Sequence, residues 1–506
     1  MRTRQALKNM IASLLLQVIL AVSGIIVPRF FTVLYGSSVN GLVSSIGQFI
    51  TYMGLVEAGI GAAGTVALYG PLARNEIHEI NGIVSAARAF YQRSGLIFVA
   101  LVALLVLLYP FAVQNEIQDT GFIRMMILVL SVNGVVDYFF LGKYRVLLQA
   151  DQRGYVISLV QIAGTVVMTA VSLWLIELQA SALLVKGAAA AVYMLRGVAV
   201  AVYVRRNYPQ ISFRVKPNMA AFDQRWAALL HQVVGMVVNN TDIVLLTLLL
   251  KANALAEVSV YSVYNLVSYS LNSLMNSISN GLGSGFGQVI SQNEKAVLRK
   301  SFSSYEFLFF LVIFIVYTCM AVLLYPFVSL YSQDFTDGVN YVRWELVALF
   351  TAAGLLQSVR LPSLTILCAA GHFKQTQVRA IVEAVINLGA SLALIGPFGI
   401  SGVLIGTCLS YLYRTTDVIL YSAKHFLQGS LKMTGWRLLR NMALSGAMVA
   451  LCISLVPQQM DSWLTWFVWA VFSGGLSGMV LLAVNLLMEP EEGKALLTRV
   501  KELLKR

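Results

Sequence analysis

The hexapeptide VLLYPF stands at residues 106–111 and again at residues 322–327, 216 residues apart. A repeat this short, in a chain rich in Leu and Val, carries weight only if its surroundings match. They match in order. VEAGIGAAG (residues 56–64) has its counterpart in SNGLGSGFG (279–287), and Asn75-Glu76 in Asn293-Glu294, 218 residues on. LLQADQRGY (147–155) pairs with ILCAAGHFK (366–374). Each pair holds the same place among apolar segments of about 20 residues, the length of helix that crosses the roughly 30 Å hydrocarbon core of a bilayer. The spacing therefore predicts two homologous six-helix lobes. Six is even, so both lobes enter the membrane in one orientation, a parallel repeat about an axis along the membrane normal.

Composition agrees with a membrane solvent. Hydrophobic residues make up 58% of the 506 and charged residues 12%, and the mean hydropathy is +0.76. Soluble domains run near a quarter charged. Alternating ten-residue strand patterns are absent, which argues against a barrel. The expected fold class is an all-α polytopic membrane protein with 14 transmembrane helices: two parallel-repeat six-helix lobes plus two C-terminal helices. The expected boundaries are an N-lobe at 1–215 (helices 1–6), a C-lobe at 216–430 (helices 7–12), helices 13–14 at 431–488, and a cytoplasmic amphipathic tail at 489–506. The apolar run after the basic N-terminus is too long for a signal peptide and reads as a retained first helix.

Charge placement tests the count. With fourteen spans, 27 Lys and Arg fall on the side of the termini, while the opposite loops hold one, Lys251, together with acids such as Glu116, Asp119, Asp334, Asp337 and Asp461. The positive-inside rule makes the first side cytoplasmic. The net charge of +13 is then topogenic charge facing an anionic leaflet, with no nucleic-acid partner expected. Cysteines and histidines lie singly, so no metal site is expected.

Several strings narrow the reading: RFFTVLYG, NGLVSSIGQFITYMGLVEAGIG, ALYGPLARNEIHEI and YRVLLQADQRGYV, all within the first 156 residues. With the two lobes plus two helices, they resemble the polysaccharide-biosynthesis branch of the multidrug/oligosaccharidyl-lipid/polysaccharide exporter (MATE-like) superfamily, the O-antigen and capsule repeat-unit flippases. The resemblance covers residues 1 to about 430. It implies a flippase, not an enzyme, that moves undecaprenyl-pyrophosphate-linked oligosaccharide from the cytoplasmic to the outer leaflet of a bacterial inner membrane. It also implies alternating access, no cofactor beyond coupling to Na+ or H+, and polysaccharide polymerase machinery as a partner. A drug/cation antiporter or a lipid II flippase of the same superfamily is the alternative.

Ionisable residues at a helix centre cost about 2.5–3.5 kcal/mol each, so they tend to face a cavity or a partner. Arg29 and Arg360 stand beside Pro28 and Pro362. Proline kinks a helix and frees a carbonyl, and a guanidinium offers phosphate a bidentate fork. The two prolines are candidate gating kinks, and Arg29, Arg360, Arg196 and Arg414 candidate pyrophosphate ligands. The competing reading pairs Arg29 with Glu57 and Arg414 with Asp417, three apart on one helix. Glu57, Asp137 and Asp242 are candidate coupling-ion sites or charge partners. Lys186, Arg343 and Glu345 lie near outer helix ends and can snorkel. GLGSGFGQ (281–288) follows no strand, so it reads as helix packing or a hinge, not a phosphate loop. A membrane enzyme would need a large catalytic loop, and none is present.

Overall fold

The structure, a computed structural model, describes residues 2–113, 116–222, 225–250, 253–291, 295–427 and 431–493. The tail beyond residue 493 and Asn293-Glu294 lie outside the described residues. All regular structure among them is helical. In chain order the helices are α1 (Arg2–Tyr35), α2 (Ser37–Met53), α3 (Ile60–Arg74), α4 (Ile77–Val113), α5 (Thr120–Val136), α6 (Gly142–Ala150), α7 (Gly154–Glu177) and α8 (Ala182–Asn207). Then come α9 (Arg225–Leu249), α10 (Ala254–Ser291), α11 (Lys295–Ser332), α12 (Trp344–Val359), α13 (Leu361–Ala369), α14 (Phe373–His425), α15 (Leu431–Leu455) and α16 (Trp463–Met488).

Among the described residues twelve stretches are long and apolar enough to cross a membrane, so the chain is a multi-pass membrane protein. Fourteen were expected from the sequence, and the two readings part at two places. The stretch Gln375–His425 counts as one, yet α14 leaves helical geometry at Gly399 (φ 54, ψ −128), two residues after Pro397. The 38-residue α10 is not among the twelve, because its Tyr, Ser and Asn residues lower its hydropathy. Its backbone stays helical through residues 281–288.

The chain divides into two compact units, one of residues 1–262 with 335–339, the other of residues 263–334 with 340–506. In the first, Phe31, Leu42, Leu68, Val84, Phe98 and Ile127 belong to one continuous apolar core. Small polar groups join its helices where apolar packing alone would leave register loose. Ser23 and Thr169 hydroxyls meet at 2.7 Å between α1 and α7, and Tyr109 donates to Ser45, itself bonded to Thr247 of α9. Gly41 is required by contact: a Cβ there would lie 1.7 Å from the Leu255 carbonyl oxygen. Asn40 completes that joint by donating to Ser259 (2.7 Å).

In the second unit a separate apolar cluster includes Val322, Leu323, Met448 and Cys452. Below it, Arg437 of α15 is almost fully buried and contacts Glu306 of α11 (3.0 Å) and Glu489 after α16 (2.5 Å). Arg440, one turn on, also reaches Glu489 (2.6 Å) and accompanies Asn485. Burial pushes the Glu489 carboxyl upward, but hydrogen bonds from Arg437 and Arg440 outweigh it and hold the group below the usual range. This clamp fastens α15 and α16 to α11. Sequence reading counted Arg437 as one more topogenic charge.

Candidate functional site

In the first unit, the backbone between α2 and α3 breaks out of helix. A 3-10 turn covers Gly54–Glu57, Ala58 is extended, and Gly59 takes a left-handed conformation (φ 83) that favours glycine. A break inside a membrane must satisfy the backbone groups it frees, and here the partners are identifiable. The Gly54 carbonyl accepts from the Tyr138 hydroxyl (3.2 Å), Val56 from Ser94 (3.0 Å), and Leu55 from the Ala58 amide (2.9 Å). The Gly59 amide donates to the Gln232 side chain (2.8 Å). At the break lies a cavity of about 480 Å³, lined by Thr51, Glu57, Gln232, Met236, Asn239 and Asn240 among others. Glu57 is half-buried on its wall.

The cation acting electrostatically on Glu57 is Arg145. Arg145 pairs with Asp137 (2.7 Å), whose other oxygen accepts from the Tyr193 hydroxyl (3.0 Å). Asp137 opens a single π-helical turn, Asp137–Leu141, between α5 and α6. That wider turn brings Arg145, eight residues on, back against Asp137. Ordinary helical spacing would not place an i, i+8 pair in contact, so this link was invisible in the sequence. Arg145 there read as a loop charge.

Arg196 of α8 shares a second, smaller cleft with Arg145, Gln161 and Tyr193. Its guanidinium donates to Thr165 (3.0 Å) and lies over Gly164, where a Cβ would come within 2.0 Å of Nε. Asp242 is buried in α9 and accepts from Tyr261 (2.9 Å). Arg29 of α1 lies 5.6 Å from the Phe30 ring centroid. The helix runs through Pro28, and Thr32 donates to the Pro28 carbonyl (2.8 Å). Lys186 sits over the Phe31 ring at 4.3 Å.

The second unit carries its own network. Pro362 falls in the first turn of α13, and Arg360 is the junction between α12 and α13. Arg360 donates to Glu383 (2.6 Å) and faces the Tyr411 ring at 5.0 Å. Glu383, buried in the first half of α14, also faces Arg414 from the second half (3.5 Å). Arg414 pairs in turn with Asp417 (3.0 Å), and Arg379 pairs with Asp417 from the opposite side. Three arginines thus share two carboxylates. Arg414 and Asp417 make the three-apart pair that their spacing suggests, while Arg379 was a residue that sequence reading left among loop charges. Among the described residues no group of three or more His, Cys, Asp or Glu could hold a metal ion.

No family model matches the sequence, and no curated protein matches it either. Solved structures do match. The lipid II flippase MurJ, in an inward closed conformation, superposes with a TM-score of 0.72 at 13% identity, covering 94% of this chain and 98% of that one. An inward-facing multidrug resistance MATE family transporter of the MOP superfamily gives 0.58 at 11% identity, over 83% and 98%. A eukaryotic MATE transporter gives 0.53 at 14% identity, over 87% and 99%. At such identities the likeness concerns the fold, and this chain has the fold that MurJ and the MATE transporters share.

Proposed function

We propose that the protein is a flippase of the multidrug/oligosaccharidyl-lipid/polysaccharide exporter superfamily. It carries undecaprenyl-pyrophosphate-linked oligosaccharide repeat units from the cytoplasmic to the outer leaflet of a bacterial inner membrane, both termini being cytoplasmic. The carrying observation is the arginine excess at the α12–α13 junction. Arg360 and Arg414 share Glu383 at 2.6 and 3.5 Å, and the cluster with Arg379 and Asp417 retains one positive charge. Arg360, Arg414, Glu383 and Asp417 balance one another, so the surplus lies with the partly exposed Arg379, and a guanidinium surplus suits a doubly esterified pyrophosphate better than a cationic drug. The fold likeness to a lipid II flippase supports a lipid-linked cargo. The sequence repeat supports alternating access by two six-helix halves, with Pro28 and Pro362 as bending points and Arg29 and Arg196 as further ligands. Glu57, on the wall of the 480 Å³ cavity, is the carboxylate proposed to exchange the coupling Na+ or H+.

The antiporter reading has one observation in its favour: Glu57 and Asp137 outnumber Arg145 in the first unit, a balance that suits a cation. A leaflet-accessibility assay separates the two. Purified protein is placed in liposomes with fluorescent undecaprenyl-pyrophosphate oligosaccharide, beside the variant Arg360→Ala. Translocation by the wild type, lost in a folded Arg360→Ala, supports the flippase. Static lipid together with exchange of a cationic dye for sodium or protons establishes the antiporter instead. Lipid II moved in preference to the repeat unit would assign the cargo to the peptidoglycan branch.

A further inference from the structure

Four cations from four separate segments converge at one end of the first unit. Lys143 stands in the first turn of α6, and Arg88, Arg205 and Arg214 all act on its ammonium electrostatically. Arg88 comes from α4, Arg205 from the last turn of α8, and Arg214 from the segment that follows. Among the described residues none of the four has a carboxylate partner. Charge that only sets topology needs to be on the correct side of the membrane; it does not need to be gathered.

Here the gathering is built. The segment after α8 is stitched along α4 residue by residue. Ser212 N donates to Asn81 (2.8 Å), Val215 N to Ser85 Oγ (3.2 Å) and Asn218 N to the Gly82 carbonyl (3.0 Å). Arg88 itself donates to the Phe213 carbonyl (3.3 Å), leaving its Nε buried and without a partner. Phe213 packs edge-on against Tyr144, the neighbour of Lys143, with centroids 5.2 Å apart. A fold that spends five specific contacts to hold like charges together leaves an uncompensated field, and an anion is what relieves it.

The surroundings favour an anion that belongs to a lipid. Arg205 lies two residues from the end of the apolar span Ala182–Asn207. One to two turns further into that span, Val202 and Val198 are exposed, and so is Phe140, which packs beside Gly197 of the same helix. Arg205 thus follows Val202 and Val198 on α8, and Lys143 follows Phe140 by three residues, so each of these cations has exposed apolar side chains next to it along the chain.

We propose that Lys143, Arg88, Arg205 and Arg214 form a binding site for the phosphate headgroup of an anionic phospholipid, with its chain lying along Phe140, Val198 and Val202. This site is separate from the cavity at Glu57 and from the arginines assigned to cargo, and it stands whether the cargo is a glycolipid or a drug. The full-length protein in a zwitterionic detergent, titrated with cardiolipin, phosphatidylglycerol, phosphatidylcholine or inorganic phosphate, provides the test by thermal shift and native mass spectrometry. Cardiolipin and phosphatidylglycerol are expected to remain bound and raise Tm, and phosphatidylcholine to do neither. Each charge removed, as in Lys143→Gln or Arg214→Gln, should weaken retention about fivefold, while Lys143→Arg preserves it. The wild-type titration needs no variant to fold. Equal retention of phosphatidylcholine overturns the proposal. A Tm rise that inorganic phosphate reproduces, with no preference for lipid, keeps the anion but overturns the lipid.

Discussion

In the first unit Asp137 pairs with Arg145, and Glu57 has that same arginine as a neighbouring charge without contact. In the second, Arg360, Arg414 and Arg379 share two carboxylates, Glu383 and Asp417. Both networks stand at interruptions of a membrane helix. One follows the break at Gly54–Gly59 and the π-turn at Asp137, the other the α12–α13 junction and the halves of α14 on either side of Gly399. A helix break is where a membrane protein can tolerate charge, because the backbone there already needs polar company. The sign of the excess then sets what each site can hold. A surplus carboxylate binds a proton or metal cation, and a surplus guanidinium binds an anionic headgroup. The comparison teaches that the two units place opposite chemistry at their helix breaks.

The largest effect should come from removing the hub of the cationic network. Glu383 is buried and faces both Arg360 and Arg414. Glu383→Ala would leave those guanidiniums compensated only by Asp417, and stranding a buried charge costs about 3–5 kcal/mol. Unfolding in detergent should show that loss, while Arg360→Met combined with Glu383→Met should recover most of it. If the single variant is as stable as wild type, water already screens the arginines, and the contrast between the units is one of exposure and not of charge.

The acidic network should divide into a structural and an exchangeable member. Both oxygens of Asp137 are engaged, by Arg145 and Tyr193. Asp137→Asn should therefore cost about 1.5–3 kcal/mol, the worth of a hydrogen bond to a charged group. Glu57 faces the cavity, so Glu57→Gln should change unfolding little and instead flatten the pH or sodium dependence of transport measured in liposomes. Equal stability losses in the two variants would erase the distinction.

Much of the architecture was legible because it rests on long apolar runs. The helical class follows from segment length, while the two compact units divide after residue 262 and not at the lobe boundary of 215 expected from the VLLYPF repeat. Charge networks were less legible. Arg414 and Asp417 could be paired from spacing, three residues on one face. Arg145 and Asp137 could not, since their contact depends on a π-turn that no residue pattern announces. Arg379 and Arg437 were hidden for another reason. A cation close to a loop satisfies the topology rule whether it points to water or folds back onto a buried acid. Glu306, an ionisable residue in the otherwise apolar YEFLFFL (305–311), was the available signal for the clamp at Arg437.

That clamp offers a control lying outside both networks, with a pH sign that can be worked out. Glu489 follows the last span and is held below the usual carboxyl range in spite of burial, by Arg437 and Arg440. A carboxyl lowered in the folded state contributes stability that is complete above its unfolded value of about 4.3 and fades as pH falls through the lower folded value. Wild type should thus exceed Glu489→Gln in Tm at neutral pH, and the gap should narrow only below about pH 4. A gap that is constant from pH 7 to 3 would mean that Glu489 acts by shape and not by charge.

The smallest effect concerns the backbone itself. Gly59 holds a left-handed conformation at φ 83, which an L side chain adopts at a cost of about 1–2 kcal/mol. Gly59→Ala should lower stability by that amount, but its more telling consequence is geometric. The amide of residue 59 bonds Gln232, and the carbonyls before it are closed by Tyr138 and Ser94. Relaxing φ toward helical values would pull this lattice apart and carry Glu57 away from its cavity. Gly59→Ala should therefore impair transport more than its stability cost accounts for, whereas Gly47→Ala, in the regular part of α2 with nothing within 4 Å of the added carbon, should leave both unchanged. If the two alanines behave alike, the break is a passive joint, and the first unit's acidic site does not depend on it.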